Sequence, residues 1–191
     1  MTIRTGLLAG AGIGGALCAS GVQAHALFES GGWASGVLHP FVGADHVLAM
    51  LAVGLWAAQL GGRALWSVPL AFISVLALGA VAGAAGLTVA SVELGIAASV
   101  LALGLLVAFA VRLPLAIGVT LAGAFAFLHG HAHGTEWPAL VPAWSYAGGF
   151  LLATALLHAT GVLAGRTFDA KRLQWAGACV ALAGITLIAR I

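Results

Sequence analysis

Two stretches concentrate the side chains that could do chemistry: His39-Pro40-Phe41-Val42-Gly43-Ala44-Asp45-His46 and His129-Gly130-His131-Ala132-His133-Gly134-Thr135-Glu136. Together they hold five of the chain's seven histidines and two of its five acidic residues. Neutral imidazole suits Zn, Cu, Fe and Ni, carboxylate adds preference for harder or borderline ions, and neither stretch offers a thiolate for Cu(I). The palette favours a borderline divalent ion.

Spacing limits how the ligands combine. His39 and His46 are seven residues apart, nearly on one helical face but separated by a rise of about 10.5 Å, too far to share one ion at about 2 Å from each in a straight helix. Either Pro40 and Gly43 break the helix and return His39 to the site, or His39, Asp45 and His46 are successive stations on a path. Pro40 suits a first helical turn with His39 just outside it, which favours stations. His129 and His133, at i and i+4, share a face if the helix continues, with His131 turned away. Gly130 and Gly134 put that continuation in question, and an extended segment would align all three imidazoles on one side.

Three further residues are candidates by position. His158 lies in the apolar run 150–163, where it is either a deeper station or a histidine hydrogen-bonded across helices. Glu93 opens an apolar run and is either favoured by a helix N-terminus or a ligand. His25 follows a leader-like segment, so cleavage after Ala24 would give it a terminal amine that could chelate together with its imidazole; the alternative is an exposed histidine without a role.

The elements that must position these residues are membrane helices. The chain of 191 residues is 62% hydrophobic and 6% charged, with mean hydropathy +1.14, against about 45–50% apolar and about 25% charged in soluble domains. An Asp at membrane depth costs roughly 2.5–3.5 kcal/mol on insertion scales, so Asp45 and the histidines need a compensating role. The net charge of +2 without a basic run excludes a nucleic-acid-binding reading. Cys18 and Cys179 read as small apolar residues, with no disulfide expected.

Residues 1–24 read as a cleaved signal peptide, with Arg4, a Gly/Ala/Leu-rich core and Val22-Gln23-Ala24 before the cut. Residues 25–191 then form an all-α integral membrane protein, a bundle of six transmembrane helices at 39–60, 65–89, 93–111, 113–128, 143–163 and 174–191. With the mature N-terminus outside, Arg63, Arg112, Arg166, Lys171 and Arg172 all fall on the cytoplasmic side, as the positive-inside rule requires of a bacterial-type inner membrane. Three spans on either side of Arg112 suggest a 3+3 inverted repeat, and Gly79-x-x-x-Gly83 a packing face.

The chain resembles the HupE/UreJ family of nickel (and cobalt) permeases. The resemblance rests on His39-Pro40-x-x-Gly43-x-Asp45-His46-x-x-Ala49-Met50 with Val53-Gly54, and on His129-Gly130-x-Ala132-His133-Gly134-x-Glu136-x-Pro138. It extends through Glu93-Leu94-Gly95-Ile96-Ala97-Ala98-Ser99 and the surroundings of His158, covering essentially the whole chain after the leader. It implies six helices after a cleaved leader and uptake of Ni2+ for hydrogenase or urease assembly. The position of His131 varies in such motifs.

Expected function is therefore uptake of Ni2+, with Co2+ the alternative, as a potential-driven substrate without a prosthetic group. The lipid bilayer is a partner and nucleic acid is not. No G-x-x-x-x-G-K-[ST] occurs to couple ATP, and no H-E-x-x-H or nucleophile with an adjacent base suggests an enzyme. The rival readings are a metal-binding accessory protein that does not transport and a haem-bearing subunit ligated by His46 and His158.

Overall fold

Long apolar runs punctuated by Gly, Pro and Arg fold as helices because lipid leaves no water to satisfy open backbone groups. The computed structural model describes residues 32–137 and 142–191, and within them contains helices and no strand. The leader, its cut after Ala24, Cys18 and His25 lie outside the described residues. Helix α1 (Gly32–Leu38) leads into a 3-10 turn (His39–Phe41); then follow α2 (Ala44–Leu60), α3 (Ala64–Ala84), α4 (Val92–Ala108), α5 (Leu115–Thr135), α6 (Ala143–Thr167) and α7 (Ala170–Ile188).

By length and composition α3, α5 and α6 are long and apolar enough to cross a membrane. A fourth crossing results if the segment 32–41 and α2, which meet at an 80° bend, count as one span, and α4 is a shorter apolar helix. The surface is apolar, with Trp144, Phe109 and Val81 among the exposed residues, whereas four histidines with Ser99 and Thr154 are at most 4% exposed. That inversion of the soluble pattern is what a lipid-facing bundle requires.

The helices pair as α3 with α5, α4 with α7, and α2 with α6, while α1 packs on α6. Glycine makes the first pairing close enough to matter for the site. A Cβ on Gly130 or Gly134 would collide with the carbonyl of Leu76 or Ala80, and one on Gly79 or Gly83 with the carbonyl of Phe127 or His131. Small residues that let backbones approach supply the packing that the hydrophobic effect cannot supply within lipid. The same device joins α2 to α6, where Gly54 faces the His158 carbonyl and Gly161 the Leu51 carbonyl. The Trp56 indole and the Gln59 amide donate to the carbonyls of Val111 and Val107, tying the end of α2 to the end of α4 (both 2.9 Å).

Several boundaries differ from the sequence expectation. α2 starts at Ala44 rather than 39 because Gly43 is extended (φ −100°, ψ 115°) and separates it from the 3-10 turn. α5 continues to Thr135, past the expected stop at 128, because its glycines are packed against α3. α7 starts at Ala170, four residues early, capped by Asp169, whose carboxylate accepts from the Arg172 backbone N–H at 2.8 Å. Arg63 and Arg112 line one cleft, and Arg166 lines a cavity with Leu65 and Trp66, so these cations share one end of the bundle.

Candidate metal centre

The break at Gly43 decides the geometry of the first motif. Turning the chain by 80° removes the straight-helix separation of His39 and His46. Both imidazoles then pack on His133 of α5, with ring centroids 4.7 Å and 4.1 Å away. The expectation that a straight helix spaces His39 and His46 as separate stations is corrected to this extent: the helix is broken, and one histidine touches both. Continuation of α5 through Gly130 and Gly134 turns His129 to the same side as His133, and His129 meets His46 at 4.8 Å between centroids. Four imidazoles from the 3-10 turn, α2 and α5 thus form one connected cluster.

At its outer edge, one ligand atom from each of His39, His133 and Glu136 lies within 4.8 Å of the other two. Donors around one tetrahedral or octahedral ion stand about 3–3.5 Å apart, so modest side-chain rotation would close this set on a cation. His39 Nε2 is 3.7 Å from Glu136 Oε2. The His39 imidazole holds the Glu136 carboxyl below the usual carboxylate range, outweighing the opposing effect of partial burial, so the group is an anion at neutral pH. His133 is 4% exposed with neither ring nitrogen bonded to protein.

Deeper in, Asp45 prepares His46. Its Oδ1 accepts from both the backbone N–H and the Nδ1 of His46, at 2.8 Å each. A carboxylate can only accept, so Nδ1 carries the hydrogen and Nε2 keeps its lone pair. That Nε2 is buried and has no protein partner. A carboxylate that orients an imidazole toward a cation is a recurring feature of metal sites, and it gives Asp45 a part even where it does not touch the ion.

The remaining candidates separate. His131 turns away from the cluster, and its Nε2 donates to the Leu87 carbonyl at 2.6 Å, latching α5 to the loop after α3. Glu93 is exposed in the first turn of α4 and does not join the cluster. His158 on α6 is 2% exposed with neither ring nitrogen bonded to protein. It packs edge-on against Phe72 at 5.0 Å, and Phe72 also lies 6.0 Å from His129. His158 also lines a cavity of about 540 Å³ that reaches Arg166 at the cationic end.

A family model described as HupE / UreJ protein matches residues 13–187, which span both histidine motifs and His158. The chain belongs to the HupE/UreJ family. A HupE/UreJ relative from Rhizobium leguminosarum bv. viciae, Protein HupE, is 46% identical over 170 residues, covering 87% of this chain and 89% of the relative. No solved structure matches this HupE/UreJ chain.

Sequence reasoning passed over two residues of the site. Phe72 is one apolar residue among many in α3, and nothing in its spacing marks it. Ser99 carried a signal: apart from Glu93 it is the single hydrogen-bonding side chain of α4, and it contacts His129.

Proposed function

We propose that this HupE/UreJ protein carries a divalent transition-metal ion, Ni2+ first and Co2+ second, across the membrane along a path of His and carboxylate ligands. The observation that carries this reading is the convergence of His39, His46, His129 and His133 with Asp45 in an apolar bundle, with the exposed Glu136 at its edge. Such a donor set is costly in lipid and suits a borderline dication. The ion enters where His39, His133 and Glu136 face the outer end, sheds water to imidazole nitrogens, and passes to the His46–His129 pair. Phe72 contacts both His129 and His158, and His158 receives the ion beside the cavity that reaches Arg166. His25 and Glu93 act at the outer mouth; His131 stands behind the path.

In this reading residues 25–191 form six spans after a cleaved leader, with the N-terminus outside and Arg63, Arg112 and Arg166 at the cytoplasmic face of an inner membrane. The 3+3 repeat is supported by the pairing pattern, because exchanging the two halves converts the α2–α6 contact into α5–α3. The membrane potential suffices as the drive: a dication gains about 4.6 kcal/mol on crossing 100 mV, on the order of a thousandfold in accumulation. The protein is a permease, not an enzyme, and supplies metal for hydrogenase or urease maturation as the family resemblance implies. Radioactive nickel uptake by cells expressing His46→Ala or Asp45→Asn should fall to background. Wild-type uptake in both variants would sink the assignment.

A further inference from the structure

The α4 segment Glu93-Leu94-Gly95-Ile96-Ala97-Ala98-Ser99 has no ligand in the cluster, yet its last residue reaches the cluster from behind. Ser99 is fully buried, and its Oγ lies 2.7 Å from the Ile96 carbonyl oxygen and 2.8 Å from His129 Nε2. A hydroxyl has one hydrogen. Two oxygens approach to 2.7 Å only with a hydrogen between them, and the Ile96 carbonyl has none to give. The Ser99 hydrogen is therefore committed to Ile96, and the contact with His129 needs its hydrogen from the imidazole. Nε2 of His129 carries that hydrogen, which leaves the lone pair on Nδ1.

His129 Nδ1 is buried and bonded to no protein atom, and the ring carrying it stands against His46, whose Nε2 is bare for the matching reason. We propose that Ser99 is a positioning residue of the metal path, fixing His129 as the Nε2–H tautomer so that Nδ1 is offered to the ion opposite His46 Nε2. Two different acceptors thus prepare the two facing imidazoles: the Asp45 carboxylate holds His46 by Nδ1, and the Ser99 hydroxyl holds His129 by Nε2. The neutral hydroxyl matters, because a second carboxylate here would add a buried charge and a tighter grip, whereas an ion in transit must also leave. This inference rests on the metal-path reading, and its test distinguishes the two.

The test uses full-length protein in lipid nanodiscs with 15N-labelled histidine. In the metal-free state the His129 ring, assigned by its disappearance in His129→Gln, should show a protonated Nε2 and a bare Nδ1. Ser99→Ala should lose that tautomer preference and weaken Ni2+ binding, measured by calorimetry, on the order of 10- to 100-fold, the usual effect of removing a partner behind a ligand. Ser99→Thr, which keeps the hydroxyl, should restore both. Ser99→Cys keeps the volume but offers sulfur as a poor acceptor, and should behave like Ser99→Ala if the alanine variant does not fold. A wild-type His129 protonated on Nδ1 overturns the proposal. So does a Ser99→Ala or Ser99→Cys protein with wild-type tautomer and affinity. Wild-type protein that binds no Ni2+ overturns the metal path and this inference together; wild-type affinity in Ser99→Ala overturns this inference alone.

Discussion

At the scale of single residues, the difference between a proposed ligand and a bystander lies in which way the imidazole faces. His131 points out of the cluster to the Leu87 carbonyl and Phe127, whereas His133, two residues on, packs on His39 and His46 with both nitrogens uncommitted to protein. Replacing His133 by Gln should therefore abolish Ni2+ binding in calorimetry. Replacing His131 by Leu should leave affinity unchanged and lower thermal stability by about 1–3 kcal/mol, since the Leu87 carbonyl loses its donor. Loss of binding in the His131 variant would return that residue to the path. Protonation gives a second expectation at this scale. An imidazolium cannot ligate and repels a dication, so binding should weaken on acidification as the imidazoles protonate. The Glu136 carboxyl, held low by His39, stays anionic between pH 5 and 8, so any loss in that range belongs to the imidazoles. Uptake in a pH series should therefore rise with pH, and a profile that falls with rising pH would contradict imidazole ligation.

At the scale of elements, the close approach of α3 and α5 keeps His129 and His133 in register with the first motif. Gly130 faces the Leu76 carbonyl of α3, with no room for a Cβ. Gly130→Val should push the two helices apart, destabilise the protein by about 1–3 kcal/mol as overpacking does, and weaken Ni2+ binding although no ligand has changed. A lowered melting temperature with unaltered affinity would show that the register of α5 does not set the site. The alternation in His-Gly-His-Ala-His-Gly reads, in this light, as two faces of one helix: glycines toward α3 and His129 and His133 toward the cluster. That much was legible in the sequence as i and i+4 spacing, and so was the rotation of His131 away from it. Whether the glycines end the helix was not, because the answer depends on α3, which is distant in sequence. The break at Pro40 and Gly43 was one of two readings the sequence left open, and the less favoured, because Pro40 fits a straight helical start as well as a 3-10 turn; the contacts of His39 and His46 with His133 select the latter. Ser99 needed the tertiary structure too, since its two partners are three and thirty residues away.

At the scale of the whole molecule, the bundle is asymmetric along its axis. Glu136, His39 and His133 stand at one end, Arg63, Arg112 and Arg166 at the other, and His158 between them beside Phe72. In the proposed path a cation would be drawn in at the end that carries Glu136 and would gain by moving toward a negative interior. The central claim is transport, and flux through purified protein tests it most directly. In proteoliposomes, radioactive Ni2+ should enter with saturable kinetics, accelerate when a potassium diffusion potential makes the interior negative, and slow to the rate of protein-free vesicles with His46→Ala. Wild-type vesicles that take up nickel no faster than empty ones, while the same protein binds it, would contradict the account and leave a metal-binding accessory protein in its place.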